Sequence, residues 1–119
     1  STEVVSYVDV AEEWARQNLR VPLDVIRVVT ARGDSMLGAI NDGDVLFVDS
    51  RVNYFDADAI YVLNWQGRPL VKRLQLRRDG TLQIRSDNAA YEPEIVPPGE
   101  IDQLHISGRV LAAWGLKRF

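Results

Sequence analysis

A chain of 119 residues, 46% hydrophobic and 26% charged, is large enough for one packed core and too small for a doubly wound nucleotide-binding sheet plus a second lobe, so a single domain spanning residues 1–119 is expected. The net charge of −3 argues against a nucleic-acid-binding surface on this domain, because counterion release needs Lys and Arg clustered over one face. The absence of cysteine and the single histidine exclude disulfides, thiolate metal sites and multi-histidine metal centres, and no cofactor is expected.

No apolar run approaches the roughly 18 residues of a membrane span, and a start containing Glu3 and no basic residue is unlike a signal peptide, so a soluble chain is expected, and the lack of cysteine permits the cytoplasm. Val4 to Val8 reads as a short strand. Asp9 then reads as an N-cap with Glu12 at capping-box spacing, opening a helix from about Val10 to Asn18. Glu12 and Glu13 near its start and Arg16 and Arg20 near its end suit the helix dipole, and Val10, Ala11, Trp14 and Ala15 form its apolar stripe. Pro22 stops it, and Trp14 reads as the anchor that docks it on a sheet.

The remainder reads as short strands at Val25 to Ala31, Val45 to Asp49, Ala59 to Trp65, Pro69 to Arg77, Thr81 to Ser86 and Leu104 to Leu116. Asp42-Gly43, Gln66-Gly67 and Asp79-Gly80 mark turns, and Pro97-Pro98-Gly99 marks a surface loop. Strands at this density predict a mainly β fold of hairpins and partial barrels with one short N-terminal helix.

Two positions stand out within this pattern. Gly33 breaks the first long strand, and Asp34-Ser35-Met36 begins a turn that returns through Asn41-Asp42-Gly43. A serine on so tight a corner presents its hydroxyl and its own N–H in one direction, as acyl transfer requires of a nucleophile and an oxyanion donor. The plain alternative is a serine that caps a helical turn.

The second position is Lys72. In the strand Pro69 to Arg77, Leu70, Lys72, Leu74 and Leu76 share one face while Val71, Arg73, Gln75 and Arg77 share the other, so Lys72 is the one polar residue among leucines. It either snorkels or pairs with a carboxylate such as Asp34, Asp42 or Asp44, or it is a desolvated amine that loses its proton readily and acts as a general base. The second option, combined with Ser35, makes a Ser-Lys dyad. A Ser-His-Asp reading from Gly33-Asp34-Ser35 and Asp102-Gln103-Leu104-His105, in the manner of the GDSL esterases, needs βαβ units that are absent here. Alternation in the last strand also sets His105 on the face opposite the apolar one.

Five blocks occur in order: G-D-S-M at 33–36, D-G-D-V-L-F-V-D at 42–49, L-V-K-R-L at 70–74, S-D-N-A-A-Y-E-P at 86–93 and I-S-G-R-V at 106–110. Together they resemble the C-terminal domain of LexA-like and phage-type repressors, and the separation of Ser35 from Lys72 fits that family. The resemblance implies a cytoplasmic transcriptional repressor of LexA-like, signal-peptidase-like fold. Its operator DNA is bound by a separate N-terminal helix-turn-helix domain absent from this chain, and this domain forms a homodimer and acts as a serine peptidase on its own interdomain linker. A RecA filament is the implied co-protease, in an SOS or prophage-induction response. By position Ser35 is then the nucleophile and Lys72 the base, with the Ser35 N–H and a neighbouring N–H of the turn that contains Gly33, Asp34 and Met36 as oxyanion donors.

The usual Ala-Gly or Cys-Gly cleavage bond is missing, since the only glycine before Ser35 is Gly33, preceded by Arg32, and Ala89 stands where a proline is common. The chain is therefore expected either to start downstream of the cleaved bond or to be a member that does not cleave itself. The corresponding alternative function is a non-proteolytic dimerisation module with a vestigial dyad. Signal peptidases share the chemistry but carry a membrane anchor, and the S-D-N-A-A-Y block resembles repressors.

Overall fold

The computed structural model describes residues 2–115 and 117–119, with residues 2–10 described by backbone alone. Its elements are α1 (Thr2–Leu19), β1 (Ile26–Thr30), β2 (Val45–Asp49), β3 (Ala59–Trp65), β4 (Arg68–Leu76), β5 (Leu82–Arg85), β6 (Glu94–Val96) and β7 (Ile106–Trp114), with 3₁₀ turns at Leu23–Val25 and Pro98–Gln103. The fold is mainly β, as expected. The strands form one sheet in the order β1-β2-β7-β3-β4-β5-β6, with antiparallel neighbours throughout.

Two apolar clusters flank this curled sheet. One gathers Tyr61, Leu63, Leu74, Leu82, Ile84, Val96 and Ile106, and the other gathers Ala31, Met36, Ile40, Leu46, Val48 and Val62. Val62 and its chain neighbours Tyr61 and Leu63 thus serve both cores, as the period-two geometry of β3 dictates. Where β7 crosses between β2 and β3 the register slips at Phe47/Val48 and again at Val62/Leu63, two bulges that bend the sheet. Gly108 sits between them. A Cβ there would press on Val48 and lie 2.7 Å from the Asp49 carbonyl oxygen, so the close strand approach requires glycine.

Several expectations need correction. The segment Val4 to Val8 is not a strand but the first half of α1, which runs unbroken to Leu19 and leaves Asp9 inside the helix, not at its cap. A short run of β-branched residues has no period long enough to separate helix from strand. The side chain of Val10 lies outside the described residues, as does Leu116. Trp14 does anchor the helix, with its ring 4.5 Å from Trp114 and 5.6 Å from Phe47 between centroids. The helix ends in a left-handed residue, Arg20, at φ 58°, ahead of Pro22.

β7 begins at Ile106, two residues later than expected, so Leu104 and His105 precede it. It pairs with β3 only from Ile106 to Arg109 and with β2 from Arg109 to Trp114, so its half beyond Arg109 has no strand on the β3 side. The edges of the sheet are β1 and β6. The short β6 and the 3₁₀ turn that replaces the loop expected after Pro97 were not legible.

Candidate functional site

β1 ends at Thr30, and the loop that follows is pinched at its neck by Ala31 and Gly43. The Ala31 N–H donates to the Asp44 carbonyl and the Gly43 N–H to the Ala31 carbonyl, each at 2.8 Å. Asp42 accepts the Gly33 N–H at 2.7 Å, and Asp44 accepts the Asn41 N–H at 2.9 Å. Gly33 at φ 84° makes the corner that other residues adopt only with strain. A single helical turn follows, in which Leu37 N–H reaches the Asp34 carbonyl and Ile40 N–H reaches the Met36 carbonyl.

Met36 and Ile40 hang from this turn into the second core, 3% and 4% exposed. Their burial fixes the turn, and Ser35, one residue earlier, is left half-buried at the surface. Among the described residues the N–H groups of Ser35 and Met36 donate to no protein acceptor. The Met36 side chain is thus a core anchor, and its N–H stays without a protein acceptor among the described residues.

Lys72 lies in the middle of β4, opposite Tyr61 of β3. The leucine face is less closed than the alternation implied. Leu74 is fully buried, but Leu70 and Leu76 are exposed; Leu70 lies in the first half of β4, which β5 does not reach because the β4–β5 pairing begins only at Arg73, and Leu76 is the last residue of the strand. Lys72 is half-buried, and burial pulls its amine below the usual lysine range. None of its proposed carboxylate partners is near enough for an ion pair: Asp34 accepts from the Tyr91 hydroxyl, and Asp42 and Asp44 accept the loop N–H groups above. Among the described residues its one hydrogen bond runs from Nζ to the Ser86 hydroxyl, 2.8 Å, and the Tyr91 ring centroid lies 5.7 Å away.

Ser35 and Lys72 line the same cleft, a hollow of about 90 Å³ walled by Val29 to Gly33 on one side and Pro69 to Lys72 on the other. The structure thus brings Lys72 to the turn of Gly33, Ser35 and Met36, from which it is far in sequence. Asp34 instead faces outward toward Tyr91. Beyond Lys72 a second hollow of about 240 Å³ is lined by Leu63, Trp65, Leu70, Ile84, Leu104 and His105. His105 shares that hollow with Lys72 but shares neither hollow with Ser35, so the cleft holds no Ser-His pair.

The segment 86–91 does more here than sequence reasoning assigned to it. Ser86 holds Lys72. Asn88 donates from its backbone to the Ser35 carbonyl and from Nδ2 to the Asp34 carbonyl, both at 3.0 Å, and Tyr91 closes on Asp34. Arg73 and Asp87 form a two-pronged pair at 2.8 and 2.9 Å that clamps the segment to β4. The only sequence signal for this was the clustering of serine, aspartate, asparagine and tyrosine in one short stretch.

Residues 2–111 match a family model described as Peptidase S24-like. The 26 kDa repressor protein of Escherichia phage HK022 is 45% identical to this chain, over 92% of the chain and 49% of the phage protein. The LexA repressor of Magnetococcus marinus is 35% identical, over 71% of this chain and 35% of its own length. An uncharacterized HTH-type transcriptional regulator of Haemophilus influenzae is 36% identical, over 79% and 39% respectively. The chain spans about half the length, or less, of the curated relatives it matches.

Proposed function

Because this chain belongs to the Peptidase S24-like family, we propose that it is the C-terminal domain of a DNA-binding transcriptional repressor, one that pairs two copies and cleaves its own interdomain linker through Ser35 and Lys72. The observation that carries the reading is the shared cleft. A serine on a core-anchored corner and a lysine whose pKa is lowered by burial wall the same small hollow, with two N–H groups at the corner that engage no acceptor among the described residues.

In this reading the neutral Lys72 amine takes the Ser35 proton as Oγ bonds to the scissile carbonyl carbon and the carbonyl electron pair moves onto oxygen. The N–H groups of Ser35 and Met36 receive that oxyanion. The Lys72 ammonium then protonates the leaving nitrogen as the C–N bond breaks, and water attacks the acyl-serine with Lys72 again as base. A peptide substrate suits the walls, since β1 is an edge strand and the Pro69–Lys72 half of β4 has no partner on its β5 side. The repressor is cytoplasmic in this reading, a separate helix-turn-helix domain binds the operator, and a RecA filament is the stimulus.

The non-proteolytic alternative draws on one observation: Lys72 Nζ is engaged with Ser86, not Ser35. The longer protein, incubated alone at rising pH and analysed by mass spectrometry, separates the two. Cleavage into two fragments that disappears in Ser35→Ala and in Lys72→Met supports the peptidase. An intact, folded chain at alkaline pH overturns it in favour of a dimerisation module.

A further inference from the structure

Lys72 has to present a lone pair to Ser35, and an amine on four rotatable carbons does not hold one direction unaided. Its surroundings supply one directional contact. The Ser86 hydroxyl oxygen lies 2.8 Å from Nζ, in a half-buried setting where β5 ends at Arg85. No charged side chain does this job: Arg73, next in the strand, points to the other face and is paired with Asp87, and the Tyr91 ring lies too far off to fix an N–H vector.

We infer that Ser86 is a positioning residue for Lys72: by accepting one N–H of the amine it directs the nitrogen lone pair along the cleft toward Ser35. The inference rests on the Ser35–Lys72 reading above. Ser86 is itself held in place. Asp87 is locked to Arg73 by two hydrogen bonds, and Asn88 is tied to the backbone of Asp34 and Ser35, so the residues that follow Ser86 span the gap between the base and the nucleophile. One short segment therefore sets the distance and the orientation of both groups, and Ser86 is its contact with the base. A neutral amine keeps two N–H donors and one lone pair, so occupying one donor confines the lone pair to the two remaining tetrahedral directions in place of free rotation. A hydroxyl oxygen accepts more strongly from an ammonium than from a neutral amine, so removing it is expected to favour the neutral amine.

A fluorophosphonate probe tests this without any peptide specificity. The Ser35 oxygen bonds to phosphorus, the P–F bond breaks to release fluoride, and the serine proton passes to Lys72, so the labelling rate reports activation of the serine. Labelling of the domain is followed by intact mass across pH for the wild type, Ser86→Ala, Ser86→Thr and Ser35→Ala. The expected result is a wild-type rate that rises with pH to a plateau and a Ser86→Ala plateau lower by up to about 100-fold, the scale of a small misplacement of a reacting group. The inflection in Ser86→Ala moves to lower pH, Ser86→Thr restores most of the rate, and Ser35→Ala is not labelled. A folded Ser86→Ala protein labelled with the wild-type profile overturns the positioning role and leaves the dyad standing. A folded wild type that is not labelled at Ser35 at any pH overturns the dyad reading and the positioning role with it.

Discussion

Asn88 grips the corner at Ser35 from outside the loop that forms it: its backbone N–H donates to the Ser35 carbonyl at 3.0 Å. Its side chain adds a second bond to the Asp34 carbonyl, also 3.0 Å, and accepts the Ala90 N–H. The corner is thus held by its own neck, by Met36 and Ile40 in the core, and by a segment that reaches it from the end of β5.

Asn88→Ala is expected to destabilise the domain by about 1 kcal/mol, the net worth of partly exposed hydrogen bonds. Asn88→Asp keeps the acceptor for Ala90 and should lose less. Urea midpoints measure both, and an unchanged midpoint in Asn88→Ala would show that the grip adds nothing to the corner's stability.

Lys72→Met is expected to change how stability depends on pH. Burial lowers the folded-state pKa of Lys72 below its ordinary value of 10.5, so between the folded and unfolded values the unfolded chain binds more protons. Stability of the native domain therefore rises with pH across that window, and below it the cost of holding the ammonium is present in full. The substitution removes that rise and is neutral or stabilising near pH 7, because no carboxylate loses a partner. Denaturant melts at pH 6 and pH 10 check this, and a large loss of stability at both would mark Lys72 as a structural cation.

Asp87 carries the opposite sign. The two hydrogen bonds from Arg73 hold its carboxyl below the usual 3.8, so its contribution is complete above that value and fades as pH falls through the lowered folded pKa. Asp87→Asn should cost about 1–3 kcal/mol at neutral pH, with the gap from the wild type closing in acid. Thermal melts at pH 7 and pH 2.5 read out both, and a constant gap would show that the charge of Asp87 is irrelevant.

The repressor reading calls for two-fold pairing, since paired operator half-sites match a symmetric dimer. Sedimentation at micromolar concentration should show a dimer, and a strict monomer at high concentration would count against it. Among the described residues, strand edges free for such a contact include β7 from Val110 to Trp114, on its β3 side, and β1, where Val28 is 62% exposed.

Much of the sheet was legible because its strands alternate cleanly between turn signals. Val45–Asp49 and Ala59–Trp65 fall where the β-branched and aromatic residues place them. The helix was under-read because its first half looks like a strand by composition, and β6 because three residues between Pro93 and Pro97 carry no period. Around the cleft, the sequence showed Ser35 on a corner and Lys72 out of pattern. It could not show what holds them, because Ser86, Asn88 and Tyr91 act through space on residues far back in the chain, and no local rule of spacing reaches that distance. The leucine face around Lys72 was overdrawn for a related reason: alternation tells which way Leu70 and Leu76 point, not whether anything covers them.

The contact between Trp14 and Trp114 also gives the molecule a spectroscopic label for its N-terminal helix. Their rings lie 4.5 Å apart with Phe47 beside both, while the third tryptophan, Trp65, is 62% exposed at the end of β3, next to the hairpin turn. Indoles that close couple their electronic transitions, so the near-ultraviolet circular dichroism of this protein carries a pair signal that exists only while α1 is docked. Trp65 emits from a water-exposed setting whether or not α1 is docked. Release of the helix can therefore be followed in the unlabelled protein as a loss of dichroism with little change in Trp65 emission, and distinguished from unfolding of the sheet.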